Sequence, residues 1–276
     1  MLSDSFVPTS ADDPEGIVGS ACEIAEQAGR RILSFYRRAG AVEQKADSSP
    51  LTQADRAAHE LILHELRRLT PEIPVLSEES PEEEIAGRRS WTRFWLVDPL
   101  DGTKEFLKQT GEFTVNLALI EEGAPVLGVV HVPVRGLTYY AGRGRGAYCS
   151  LPPEEPRRIQ VRRADPARLG VVASRDHAGP LVRALLERLP GAHTLSMGSS
   201  LKFCLVAEGG ADLYLRDLPT MEWDTAAAQC IVEEAGGEVT DLAGHRLRYN
   251  KPILQNPPIL TVGDRKLDWK RYVRRD

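Results

Sequence analysis

The stretch Phe94-Trp95-Leu96-Val97-Asp98-Pro99-Leu100-Asp101-Gly102-Thr103 constrains the chain more than any other. Its apolar, aromatic start reads as a buried strand, yet the strand ends in two carboxylates three residues apart. Like charges that close repel, so a fold that keeps them must place something between or around them. Pro99 fixes its own φ and brings no N–H, so the chain can turn there without a sheet partner. If Thr103 opens a helix, the N–H groups of Gly102 and Thr103 have no intrahelical acceptor and favour an anion such as phosphate. Two carboxylates beside that cradle suit Mg²⁺, which takes oxygen ligands, usually one or two carboxylates completed by substrate phosphate and water. A D-G turn with an Asp cap is the alternative without function.

Three further acidic stretches deserve the same comparison. Glu78-Glu79 follows the short apolar strand Val75-Leu76-Ser77, a strand-end placement like that of Asp98; a solvated loop is the alternative. Thr52-Gln53-Ala54-Asp55 fits an N-terminal capping box with Asp55 in the acidic position, which suffices as a structural explanation. Trp223-Asp224-Thr225-Ala226-Ala227-Ala228 puts an acid at the start of a helix with a small-residue face, as either an N-cap or a ligand.

Spacing predicts an amphipathic helix over 14–38, a polar loop over 45–50 and a second helix over 52–69. Strands are expected at Val75–Ser77, Phe94–Asp98, Phe113–Ile120, Val126–His131 and Leu137–Ala141. Leu151-Pro152-Pro153 marks a lobe boundary. Beyond it strands (Val171–Ala173, His193–Leu195, Asp212–Leu215) alternate with helices (Pro180–Leu189, Ser199–Glu208, Glu222–Ala235). This mixture predicts an α+β fold rather than a purely doubly wound sheet. The expected organisation is a loose tail over 1–12 and a single domain over 13–276. Its two lobes, 13–150 and 151–276, would hold the site between them.

A net charge of −5 with pI near 5.8 argues against a nucleic-acid polymer as partner. The basic clusters Arg157-Arg158, Arg162-Arg163, Lys270-Arg271 and Arg274-Arg275 read as solvated surface. No run approaches the roughly 18 apolar residues of a membrane span, and residues 1–14 lack an apolar signal core. Cys22, Cys149, Cys204 and Cys230 form no C-x-x-C pair and read as buried reduced thiols, which points to the cytoplasm. Peripheral membrane association and the choice between monomer and homodimer stay open.

Taken together, "SEES", "DPLDGT" and "WDTAAA", in that order, resemble the Mg²⁺-dependent, lithium-sensitive phosphomonoesterases of the inositol monophosphatase superfamily. The resemblance runs from about Lys45 to Gly237. "DGTKEF", "GEFTVNLALI" and "GSSLKFCLVAEG" narrow it to the bacterial CysQ-type 3′(2′),5′-bisphosphate nucleotidases, which act in sulfur assimilation. The resemblance implies an alternating α-β-α-β-α layered sandwich and hydrolysis of adenosine 3′,5′-bisphosphate to AMP. It implies two or three Mg²⁺ ions held by Glu78, Asp98, the Leu100 carbonyl, Asp101 and Asp224. Glu78 and Thr103 would aim the attacking water, Asp55 would support an additional metal, and Lys45 matches a flap lysine. Gly102, Thr103, Lys104, Ser199, Lys202, Arg216 and Asp224 would contact substrate; for Ser199 and Lys202 an N-cap and a solvated lysine are the alternatives. His177 is a weaker candidate. An inositol phosphate or another sugar or polyol phosphate is the rival substrate, and a non-catalytic nucleotide sensor is the rival of another class.

Overall fold

A computed structural model describes residues 14–39, 50–173, 179–189, 191–269 and 272. Helix α1 (Pro14–Ala39) and helix α2 (Pro50–Leu69) pack against each other and against one face of a seven-stranded sheet. That sheet contains β1 (Val75–Ser77), β2 (Arg93–Asp101), β3 (Thr114–Glu121), β4 (Ala124–Val132), β5 (Leu137–Gly142), β6 (Gly146–Ser150) and β7 (Arg157–Ile159), in sequence order. β1 lies parallel to β2, and every later pair is antiparallel. Short helices α3 (Glu82–Gly87) and α4 (Thr103–Leu107) flank β2. A second sheet, in the order β11-β12-β10-β8-β9, contains β8 (Gly170–Ala173), β9 (His193–Ser196), β10 (Leu213–Arg216), β11 (Glu238–Asp241) and β12 (Ile259–Val262). Helices α6 (Leu201–Ala207) and α7 (Ala226–Glu234) lie between the sheets, and α5 (Pro180–Arg188) covers the far side.

Strand alternation sorts the side chains into these layers. On β2, Trp95 and Val97 face α1 and α2, whereas Phe94 and Leu96 face α6 and α7. On the second sheet, Val171, Leu213, Leu215 and Leu260 join α5, while Val172, Tyr214 and Ile259 point back to the central layer. The sequence is therefore α/β/α/β/α, the expected layered sandwich of an α+β chain. The small face of α7 has a reason: a Cβ at Gly128 on β4 would stand 2.2 Å from the Ala227 carbonyl oxygen. The helix backbone lies directly on the strand there.

Several sequence-based boundaries move. The first sheet gains β7 beyond Leu151-Pro152-Pro153, so the second sheet begins only at Gly170. α7, from the second half, packs on β3 to β6 of the first. β6, β7, β11 and β12 were not expected. α2 already runs from Pro50, so Thr52 is inside it rather than at its N-cap. The helix expected over 222–235 is a 3₁₀ turn, Glu222–Asp224, followed by α7 with Thr225 as its N-cap. The helix expected from Ser199 starts at Leu201, and Ser199 itself has a left-handed φ of 53°. Arg157 and Arg162 pair with Glu208 and Asp212 rather than standing free in solvent. Among the described residues all four cysteines are free, and no helix is long and apolar enough to cross a membrane. Lys45, His177, the 1–12 tail and the basic residues at 270–271 and 274–275 lie outside the described residues.

Candidate active site

The two acids of β2 meet on one face because the strand bulges. Asp98 pairs with Asn116 on β3 and Asp101 pairs with Thr114, so three residue steps on β2 match two on β3. A regular strand would point residues 98 and 101 to opposite faces; one extra residue restores them to the same face. Pro99 sits in the bulge, where a missing N–H costs no ladder bond. The Leu100 N–H turns back to Asp98 Oδ1 at 3.0 Å. The Leu100 side chain enters the α1–α2 core, so only its backbone is left for the centre.

Two other segments bring acids to the same point. Parallel pairing of β1 with β2 lays Glu78 beside the end of β2, with its N–H on the Val97 carbonyl. The 3₁₀ turn before α7 brings Asp224 across from the second half of the chain. Carboxylate oxygens of Glu78, Asp98 and Asp224 lie within 4.8 Å of one another. Asp98 is buried, and burial followed by the charge of Asp101 holds its pKa well above the usual carboxylate range. Asp224 is pushed up to about 7 by burial and then Asp101. Glu78 reaches the surface, yet its carboxyl group is directed into this crowd; burial, then Asp101 and Glu79, push it up to about 7. Asp55, in the second turn of α2, is pushed up to about 8 by burial and then by Glu79 and Glu78, and its Oδ1 is buried without a hydrogen-bond partner. Crowded carboxylates with an orphaned oxygen are what a hard divalent cation neutralises, and an all-oxygen donor set suits Mg²⁺ rather than a thiolate- or imidazole-seeking metal.

Asp101 is placed differently. Its Oδ2 accepts from Ser199 Oγ at 2.6 Å, the Ser200 N–H at 2.7 Å and Ser200 Oγ at 2.9 Å. Asp101 is not one of the three acids whose oxygens cluster most closely, although its charge acts on all three.

From this centre a cleft of about 270 Å³ runs toward α6 and β10. Gly102, Thr103 and Lys104 line one side, and Ser199, Lys202, Tyr214 and Arg216 the other. Thr103 does open a helix, though α4 has only five residues. Lys202 is not the solvated surface lysine of the alternative reading. It is buried, its Nζ stands 5.7 Å from the centre of the Tyr214 ring, and burial lowers its pKa to about 8 against the pull of Asp101. Arg216 Nε is also buried without a partner. Two cationic groups thus share the far end of a cleft whose near end is carboxylate.

Asn116, Thr114, Ser200 and Glu222 escaped the sequence reading. Glu222 is fully buried and takes the Lys251 ammonium at 2.7 Å, the Asn250 N–H and the Lys251 N–H, which ties the 249–256 loop to the turn carrying Asp224. Asn256 Nδ2 donates to the Met221 carbonyl, and the Met221 N–H donates to Asp224 Oδ2. Each of these bonds joins residues far apart in sequence or within an irregular turn, where no periodic signal exists.

Known proteins show the same arrangement of chain. The 3′(2′),5′-bisphosphate nucleotidase CysQ of Salmonella typhimurium is 52% identical over 233 residues, covering 83% of this chain and 92% of that protein. The nucleotidase CysQ of Haemophilus influenzae is 35% identical over 266 residues, covering 93% and 96%. Among solved structures, CysQ of Bacteroides thetaiotaomicron, a bacterial member of the inositol monophosphatase family, superposes with a TM-score of 0.82 at 43% identity, covering 91% of this chain and 98% of that one. An inositol monophosphatase from Zymomonas mobilis gives 0.76 at 25% identity, covering 92% and 95%. The model of the inositol monophosphatase family matches residues 13–267, and the chain belongs to that family.

Proposed function

We propose that the chain is a Mg²⁺-dependent 3′(2′),5′-bisphosphate nucleotidase that hydrolyses adenosine 3′,5′-bisphosphate to AMP and phosphate. The observation that carries this reading is a cleft that has Asp101 and Asp224 at one end, where Asp224 joins Glu78 and Asp98 in the carboxylate centre, and the buried Lys202 and half-buried Arg216 at the other. A bisphosphate has two anionic groups to place, and a polyol monophosphate has one. The 48% or greater likeness to named nucleotidases supports the same substrate.

Glu78, Asp98, the Leu100 carbonyl, Asp101 and Asp224 would hold the metal, with Asp55 serving a further ion. When bound, two such ions would supply water activation and neutralisation of the leaving oxygen, for a monoester that hydrolyses extremely slowly unaided. The protein's own groups position the reactants. Glu78 and Thr103 accept hydrogen bonds from the attacking water and aim it. The N–H groups of Gly102 and Thr103 face the phosphate to be cleaved, with Lys104 beside them at the rim. Lys202 and Arg216 hold the phosphate that stays, and its arrival favours the charged ammonium. No cysteine or histidine is asked to act as a nucleophile.

The test is phosphate release from adenosine 3′,5′-bisphosphate and from inositol 1-phosphate, with Mg²⁺ and with excess EDTA. The expected result is a preference for the nucleotide that disappears with the metal. A preference for inositol 1-phosphate would move the chain to the sister activity, and bound nucleotide surviving intact with Mg²⁺ would make it a sensor. Ca²⁺ is expected to inhibit, because its larger, looser coordination misplaces the water. Inhibition by Li⁺ is expected from the family likeness alone.

A further inference from the structure

We propose that Ser200 is a positioning residue for the carboxylate centre, and that its hydroxyl sets the separation of Asp101 on β2 from Asp224 on the turn before α7. The inference rests on the metal-dependent reading above. Ser200 is 2% exposed, so water does not compete for its bonds. Its Oγ lies 2.9 Å from Asp101 Oδ2 and 2.9 Å from the Asp224 carbonyl oxygen, and it accepts from Asn116 Nδ2 at 2.9 Å. Asn116 is in turn the β3 partner of Asp98. One side chain from the second half of the molecule therefore touches the acid at the end of the bulge, the backbone of the acid on the turn, and the strand partner of the third acid.

A serine hydroxyl has one hydrogen and two lone pairs. Ser200 shares its hydrogen between Asp101 and the Asp224 carbonyl, and takes the Asn116 amide on its oxygen. Its backbone N–H separately holds Asp101 at 2.7 Å, so a side-chain substitution frees the Asp224 side first. Ser199 is committed as well: its Oγ accepts the Ser200 N–H and lies against Asp101 Oδ2 and Thr114 Oγ1, all at 2.6 Å, so its one hydrogen goes to one of those two oxygens. Ser199 has no hydrogen left for a phosphate, which leaves the uncleaved phosphate to Lys202 and Arg216. Groups that orient metal ligands in this way typically carry tenfold to a hundredfold in metal affinity.

The experiment titrates Mn²⁺ into the full chain by calorimetry, for wild type, Ser200→Ala and Ser200→Cys, and records thermal unfolding in EDTA and kcat and KM as functions of Mg²⁺. Cysteine fills nearly the same space with a weak donor, so it keeps the test open if the alanine variant folds poorly. Both variants should bind Mn²⁺ roughly tenfold or more weakly and need correspondingly more Mg²⁺ for half-maximal rate. At saturating Mg²⁺ the KM for adenosine 3′,5′-bisphosphate should stay within about twofold, because the Lys202 end of the cleft is untouched. Unchanged Mn²⁺ affinity with a lowered melting temperature would make Ser200 a structural residue only and overturn the proposal. Wild type that binds no Mn²⁺ would overturn the metal reading and this proposal with it.

Discussion

On the α1–α2 face of the seven-stranded sheet, Trp95, Val97, Val115, Leu117 and Val129 meet an apolar helix pair. On the α6–α7 face, the alternate positions of the same strands are Phe94, Leu96 and Ala118 mid-strand, but Asp98, Thr114 and Asn116 at the end. Up to the bulge of β2 the two faces follow from one alternation; the covering differs. α1 and α2, of 26 and 20 residues, supply long apolar stripes. α6 and α7 are short, and the segments just before them deliver Ser199, Ser200 and Asp224 to the bulge of β2. Chemistry arises where the sheet outruns its apolar cover and polar segments complete it. Buried acids tolerated there would be heavily penalised on the other face.

The largest expected effect separates the faces by activity. Asp98→Asn should reduce turnover about a hundred- to a thousandfold or more, while the melting temperature in EDTA holds or rises, because a buried like charge is gone. Asp101→Asn should lose turnover and also melt lower, since its Oδ2 accepts three hydrogen bonds from Ser199 and Ser200. Near-normal turnover in Asp98→Asn would falsify the carboxylate-centre reading. Equal melting changes in the two variants would erase the distinction between an acid held for the metal and one that also ties the halves together.

Next comes the Lys202 end of the cleft. Lys202→Met keeps the buried volume and removes the charge. The expected loss in kcat/KM on adenosine 3′,5′-bisphosphate is about ten- to a hundredfold, the weight of a charge-assisted hydrogen bond, carried mainly by KM. Adenosine 3′-monophosphate should be nearly unaffected. Equal losses on both substrates would place Lys202 at the reacting phosphate instead.

The sequence made the carboxylate end legible and the joining residues illegible, for physical reasons. Asp98, Asp101 and Glu78 stand at the ends of apolar runs, where an acid is conspicuous. Asp224 precedes three alanines that only a close helix–strand contact explains. Ser200 and Asn116 look like an ordinary helix cap and an ordinary strand residue, because their partners lie 99 and 84 positions away. Lys202 has the local pattern of a surface lysine; only the packing of α6 between two sheets buries it. The β2 bulge needs the register of β3 to be seen. β6 opens on glycine, β7 is three residues with two arginines, and β11 and β12 are four-residue strands that pair with each other, β12 also with β10.

The outer face should answer to packing alone. A Cβ on Gly29 of α1 would stand 2.6 Å from His131 Cδ2 and 3.2 Å from Pro133 Cγ. Gly29→Ala must shift the helix or the ring, an overpacking cost of about 1–3 kcal/mol, with Mn²⁺ affinity unchanged. A variant of normal stability and weakened Mn²⁺ binding would mean that the two faces communicate.

The smallest effect comes from His131 itself. It is 4% exposed on β4, its Nδ1 lies 2.9 Å from Thr138 Oγ1, whose hydroxyl also reaches Glu26 Oε1, and Arg30 of α1 is the charge that acts on it. Burial, with a smaller push from Arg30, lowers its pKa to about 4, below the ordinary value of 6.5. The folded chain therefore binds its proton less readily than the unfolded chain. The stability this neutral ring contributes is full above about pH 6.5 and is lost as pH falls toward about 4, amounting to about 1 kcal/mol between about pH 7 and pH 5.5. The cleft acids have raised pKa values, so their contribution runs the opposite way, and it is common to any pair of chains that differ only at residue 131. Urea unfolding of wild type and His131→Gln across that range isolates the histidine, because glutamine keeps a polar group for Thr138 and cannot titrate. The wild-type curve should fall relative to the variant as pH drops, while the metal-dependent rate of the two chains stays alike. If the two stability curves run parallel, His131 is hydrated in solution, and the α1–α2 face is less dry than its packing implies.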